Sequence, residues 1–294
     1  MKEPLFLNTA TALYTPITDG KIDYDAFSEL VENQIAAGIS ALVFLGTTGE
    51  SPTVTQKERE EITRFAAETV KKRIPVIIGC GSNCTEKAIA LVKSAKSAGA
   101  DGALVVTPYY NKCNERGLIA HYEKISKEGN LPIILYNVPK RTGVNIAPET
   151  AEKLSAIKNV VGLKEANDDK KHYLSTLGKL RGKIAVYCGS DGEVFDFLNA
   201  GASGSVSVAS NIIPAKFSDI YYNFKKYSES DERKFQELFS ALFCDVNPIP
   251  LKTFVRLSGK KGYELRLPLF PPDEKKTEYI SEVLYKLKAW RYIC

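Results

Sequence analysis

The chain has 294 residues, 44% of them hydrophobic and 26% charged, with 40 basic against 35 acidic side chains. This is ordinary globular usage, and no apolar run reaches the roughly 18 residues of a membrane span. The net charge of +5 is spread through mixed-sign stretches such as Gln56 to Arg64, so it bears on solubility and gives no footprint for nucleic acid. The start, Met1 to Asn8, carries Glu3 and Pro4 and lacks the basic and apolar pattern of a secretory leader, so a cytoplasmic protein is expected. The six cysteines, Cys80, Cys84, Cys113, Cys188, Cys244 and Cys294, form no C-x-x-C pair and read as free thiols. His121 and His172 are the only two histidines and form no H-x-x-x-H pattern, so no metal site is expected.

Short apolar runs, each followed by a helical stretch, recur along the chain. They cover Ala10 to Ile17, Ala41 to Gly46, Pro75 to Cys80, Gly102 to Pro108, Pro132 to Val138, Val160 to Ala166, Ile184 to Ser190 and Gly204 to Ser210. Several are almost continuously apolar and rich in Val, Ile and Leu, as strands covered on both faces are. Between them, Asp23 opens a helix that Gly38 closes. Thr55 with Glu58 forms a capping box for a helix to about Lys71, and Thr85 is expected to cap the next one, with Gly99 past its end. Pro148 suits a first helical turn, and Asp169 to Leu180, Asp191 to Ala200 and Pro214 to about Tyr227 fill later intervals. Eight strand–helix units within 227 residues favour a closed (β/α)₈ barrel, a TIM barrel, over a large open sheet. The remainder, 228–294, reads as a small helical C-terminal domain: Ser228 to Phe243, a segment from near Pro250, and Asp273 to Leu287.

In such barrels the chemistry sits where the strands end. Lys164 lies near the end of the apolar run Val160–Ala166. A buried stem with a snorkelling amine is the plain structural account of such a lysine. At the mouth of a barrel, however, desolvation lowers an amine's pKa and makes it a nucleophile for a carbonyl carbon. Tyr136, ending the fifth strand, is placed to move a proton, although core packing would also explain it. Arg141 follows in a loop rich in Pro and Gly, where a guanidinium suits bidentate capture of a carboxylate. Gly46–Ser51 reads GTTGES, a turn whose hydroxyls and N–H groups suit an anion, though it is not a nucleotide loop. No nucleotide or other cofactor is implied.

Taken in order, GTTGES at 46–51, TPYYN at 107–111, YNVPKRTG at 136–143, GLKEA at 162–166, GASGSVSV at 201–208, NPIPLK at 247–252 and LRLPL at 265–269 resemble the dihydrodipicolinate synthase family. That family lies among the class I pyruvate aldolases, which include N-acetylneuraminate lyase. The resemblance implies a lyase without a cofactor that condenses pyruvate with L-aspartate 4-semialdehyde on the route to diaminopimelate and lysine. It implies Lys164 as the Schiff-base residue, Tyr136 as the proton-moving tyrosine, and Thr47 as its link to Tyr110, which reaches in from a neighbouring subunit. Thr48 would hold the pyruvate carboxylate, Gly189 and Val206 would line the pyruvate pocket, and Arg141 would grip the second substrate. Arg141 also separates the chain from sialic-acid lyases, which usually carry an uncharged residue there. Ser190 and Val206 depart from the Asp and Ile common in the family. The resemblance further implies a homo-oligomer, a tight dimer assembled into a tetramer. Lysine-inhibited members hold lysine at the dimer interface, and Ser51, Gln56, Arg59, Asn83, Lys87 and Tyr109 occupy the corresponding positions. Gln56, Arg59 and Lys87 stand where two histidines and a glutamate are common, so a vestigial pocket that does not answer to lysine is expected.

Overall fold

The computed structural model describes residues 2–292, and the free thiol read for Cys294 lies outside the described residues. Eight parallel strands close into a barrel: β1 (Asn8–Ala12), β2 (Ala41–Phe44), β3 (Val76–Gly79), β4 (Gly102–Val106), β5 (Ile133–Asn137), β6 (Val160–Glu165), β7 (Ala185–Cys188) and β8 (Gly204–Ser207). Seven of the expected apolar runs each hold one strand, shorter by a few residues at its ends, whereas β1 begins two residues before the first run, Ala10 to Ile17, and ends at Ala12. The closing seam pairs β8 with β1, Asn8 facing Gly204 and Ala10 facing Val206. Gly204 has φ +150°, and a Cβ there would lie 1.7 Å from the Asn8 carbonyl oxygen, so only glycine lets the seam close.

The covering helices are α1 (Tyr24–Ala36), α2 (Gln56–Val70), α3 (Thr85–Ser97), α4 (Glu115–Gly129), α5 (Pro148–Ser155), α6 (Lys170–Leu180), α7 (Val194–Asn199) and α8 (Pro214–Asn223). Then come α9 (Glu229–Leu242), α10 (Ile249–Leu257) and α11 (Glu274–Ala289). Asp23 caps α1, and Thr55 and Glu58 form the capping box of α2. Thr85 does not cap α3: Cys84 holds that position without a side-chain bond, and the Thr85 hydroxyl instead meets His121 Nδ1 at 2.9 Å. The stretch after β7 begins as a 3₁₀ turn at Asp191–Glu193 before α7. A two-stranded hairpin, Ile17–Thr18 with Lys21–Ile22, follows β1 and takes up Ile17, the last residue of the first apolar run.

Apolar residues form two layers. Ala10, Val43, Ile77, Leu104, Ile134 and Val206 fill the barrel, and Phe6 stacks on Tyr187 at its lower end with ring centroids 4.2 Å apart. The outer layer runs between strands and helices and continues into α9, α10 and α11 through Phe235, Leu238, Leu251, Phe254 and Ile280. The C-terminal helices therefore pack as an extension of the barrel's outer core. No helix among the described residues is long and apolar enough to cross a membrane.

Candidate active site

Alternation along β6 sends Leu163 and Glu165 outward, and Lys164 into the barrel. Lys164 pairs in register with Tyr136 of β5 and Tyr187 of β7, is 5% exposed, and sets Nζ 4.5 Å from the Tyr136 ring centroid. Gly189 backs it: a Cβ there would meet Lys164 Cε at 3.0 Å and the Glu165 carbonyl oxygen at 2.9 Å. The glycine is thus what leaves room for the lysine stem.

Above this strand end lies a cavity of 310 Å³ lined by Gly46, Thr47, Ser51, Tyr109, Tyr136, Val138, Arg141 and Asn247, among others. Arg141 is exposed on a one-turn helix, Pro139–Thr142, where the Pro–Gly punctuation reads as a loop. Thr142 ties that turn back through its hydroxyl to the carbonyls of Val138 and Val144. The neighbouring Lys140 pairs with Asp168, whereas Arg141 has no carboxylate partner among the described residues. The rim therefore offers the cavity a free guanidinium. Thr47 and Tyr136 share the cavity, and neither hydroxyl has a hydrogen-bond partner among the described residues. Tyr110 is 91% exposed and stands outside the cavity wall of its own chain. Val206 lies deeper, in the barrel's interior layer, and Thr48 is buried within the GTTGES turn.

Of the residues at the expected lysine-effector positions, Ser51 and Tyr109 line the cavity. Arg59 turns inward, donating from Nη1 to the Gly79 carbonyl at 2.8 Å and from Nη2 to Ser51 Oγ. Gln56 is spent on Glu60, the Asn83 carbonyl accepts from Asn111, and Lys87 is exposed.

Several supporting residues carry no sign of a role in the sequence. Asn137 Nδ2 donates to both oxygens of the fully buried Glu165 at 2.9 and 3.1 Å. This bond lies on the outer face of β5 and β6, directly behind Tyr136 and Lys164, and fixes their register. His172 of α6 sets Nε2 3.5 Å from Glu165, and the neighbouring carboxylate raises its pKa. Asp191 is buried and accepts from the N–H groups of Val208 and Ala209 at 3.0 and 2.7 Å, joining the turn that holds Gly189 to the end of β8. Burial raises its pKa, against the pull of those bonds and of Lys164. A Glu directly beside Lys164 in an apolar strand is the one sign that could have pointed to this outer network. No group of three or more potential metal ligands occurs among the described residues.

The family model for the dihydrodipicolinate synthetase family matches residues 5–287. The chain is 45% identical over 288 residues to the 4-hydroxy-tetrahydrodipicolinate synthase of Thermotoga neapolitana, covering 95% of this chain and 98% of that one. The crystal structure of dihydrodipicolinate synthase from Thermotoga maritima superposes with a TM-score of 0.93 at 43% identity, over 98% of this chain and 100% of the other. A structure described as a monomeric dihydrodipicolinate synthase variant superposes with a TM-score of 0.94 at 42% identity, over 98% of each chain. With the barrel, the buried strand-end lysine and the matched length in agreement, the chain belongs to the dihydrodipicolinate synthetase family.

Proposed function

We propose that the chain condenses pyruvate with L-aspartate 4-semialdehyde through a Schiff base on Lys164, giving 4-hydroxy-tetrahydrodipicolinate in the cytoplasm. The observation that carries this reading is the buried Lys164 amine, held at the barrel mouth between Tyr136 and Gly189. The amine adds to the keto carbon of pyruvate and water leaves, forming an imine. Loss of a methyl proton gives an enamine, which attacks the aldehyde carbon. The substrate's amino group then attacks the imine carbon, closes the ring and releases Lys164. Thr48, Gly189 and Val206 surround pyruvate in this reading, while Thr47 and Tyr136 move protons within hydrogen-bond reach of the reacting atoms. The direct test supplies pyruvate with the semialdehyde, or with an amino-sugar aldehyde in its place, and follows product. Turnover with the semialdehyde alone supports the assignment; preference for the sugar would sink it.

Arg141 serves the second substrate. A charge-assisted carboxylate pair contributes about 1.5–3 kcal/mol, so Arg141→Ala should lower kcat/KM for the semialdehyde by roughly ten- to a hundredfold. The imine with pyruvate should form as before. Equal loss of both steps would show that the 139–142 turn has collapsed instead.

Tyr110 completes the relay of a second copy, which accounts for a large aromatic side chain left 91% exposed beside the mouth. The assembly that follows is a tight dimer, paired further into a tetramer. Tyr110→Phe should slow turnover about 10²-fold, within the range of one proton-transfer group. Full activity of a monomer, measured by sedimentation at assay dilution, contradicts the shared site.

Lysine is not an effector of this chain. Arg59 already fills its side of the interface pocket by bonding Ser51 and Gly79, and with Lys87 it adds positive charge where an ammonium group would have to sit. Turnover should be unchanged as lysine is raised well above millimolar. Partial or complete inhibition means that other residues hold it.

A further inference from the structure

We propose that Asn247 is a positioning residue that fixes the direction of the Thr48 hydroxyl, so that the C-terminal segment forms part of the pyruvate-carboxylate site. The inference rests on the reading of Thr48 given above. Asn247 lies 199 residues from Thr48 in sequence, just before α10, yet it lines the same cavity as Tyr136 and Arg141. Its Nδ2 donates to Thr48 Oγ1 at 2.9 Å, with Thr48 3% and Asn247 7% exposed. A hydroxyl carries one proton. When its oxygen accepts from an amide N–H, the proton is left to point elsewhere, and Thr48 has no other hydrogen-bond partner among the described residues. Thr48 then presents an O–H donor, the polarity a carboxylate requires, in place of lone pairs that would repel it. The other end of the amide, Oδ1, is buried without a partner. A buried orphan acceptor is costly and rare, and it is understandable where the NH₂ end performs the task.

The neighbouring contacts hold Asn247 against the GTTGES turn. Lys252 of α10 forms a buried ion pair with Glu50 and also donates to the Glu264 carbonyl at 2.6 Å. The Arg266 backbone N–H approaches Glu50 at 3.4 Å, while its guanidinium pairs with Glu58 of α2. The turn carrying Thr47 and Thr48 is thereby fastened to the C-terminal segment on both sides of its glutamate.

The test compares Asn247→Asp, Asn247→Ala, Thr48→Val and the double variant Asn247→Ala with Thr48→Val. It reads KM for pyruvate, KM for the semialdehyde, and the pyruvate concentration that half-saturates borohydride trapping. Asp is close to Asn in shape but accepts from Thr48, reversing the hydroxyl. Asn247→Asp should raise both pyruvate values about ten- to a hundredfold, the range of one hydrogen bond to a charged group, with the semialdehyde KM unchanged. Asn247→Ala, which adds no charge and serves if the Asp variant folds poorly, should raise them by a smaller factor. The double variant should be no worse than Thr48→Val alone, because the effect passes through that hydroxyl. Normal pyruvate saturation in Asn247→Asp, or a further loss in the double variant, overturns the inference while leaving Thr48 in place. Normal pyruvate saturation in Thr48→Val overturns both this inference and the reading of Thr48.

Discussion

Lys164→Ala should lose at least about 10³-fold in turnover, since removing a covalent nucleophile leaves only positioning and binding to act on the reactants. The variant should still fold. Lys164 makes no direct ion pair among the described residues, the buried Asp191 keeps its bonds from the Val208 and Ala209 N–H groups, and the alanine methyl suits the apolar surroundings of Gly162 and Ala166. Pyruvate followed by borohydride should leave the variant's mass unchanged. Circular dichroism and a thermal melt check the fold, and steady-state rates check the chemistry. A variant that keeps even a tenth of the activity would mean that another group forms the imine.

The second large effect is on stability. Lys252→Ala removes the partner of Glu50, which is 2% exposed, and leaves a carboxylate buried beneath the cavity. Stranding one member of a buried ion pair costs about 3–5 kcal/mol, which lowers the unfolding temperature by roughly 10 °C for a chain of this size. The pair itself contributes little beyond satisfying its members: burial lowers the Lys252 pKa, and Glu50 opposes that shift. Glu50→Leu combined with Lys252→Met should therefore melt close to the unaltered protein, whereas Lys252→Ala does not. Calorimetry of the three proteins is the check. Equal melting of Lys252→Ala and the unaltered chain would show that solvent reaches Glu50 and relieves it.

The strands were legible because they are buried on both faces. Runs such as Pro132 to Val138 and Val160 to Ala166 are apolar on both faces until the polar residues at their ends. Lys164 stood out for the same reason, as a charge within an apolar strand. The hairpin at 17–22 was not visible, because strands of two residues leave no alternation to read. The turn carrying Arg141 looked like a loop since Pro139 and Gly143 punctuate a helix only one turn long. Thr85 had the chemistry of a cap, but its hydroxyl is taken by His121, whose pKa burial pushes down to about 4. That competition depends on α4 lying beside α3, which no local window contains. The supporting residues were hidden for a related reason. Asn137 and Glu165 sit on the outer face, and nothing near them in sequence says that His172 will cover them. Asn247 meets Thr48 only because the chain returns to the mouth after the barrel is complete.

The most direct measurement is the mass of the intact protein after incubation with pyruvate and borohydride, followed by peptide mapping. Reduction of the imine should add one pyruvate-derived group per chain, confined to a peptide containing Lys164. No mass gain, or a modified peptide that excludes Lys164, would contradict a Schiff-base mechanism at this residue.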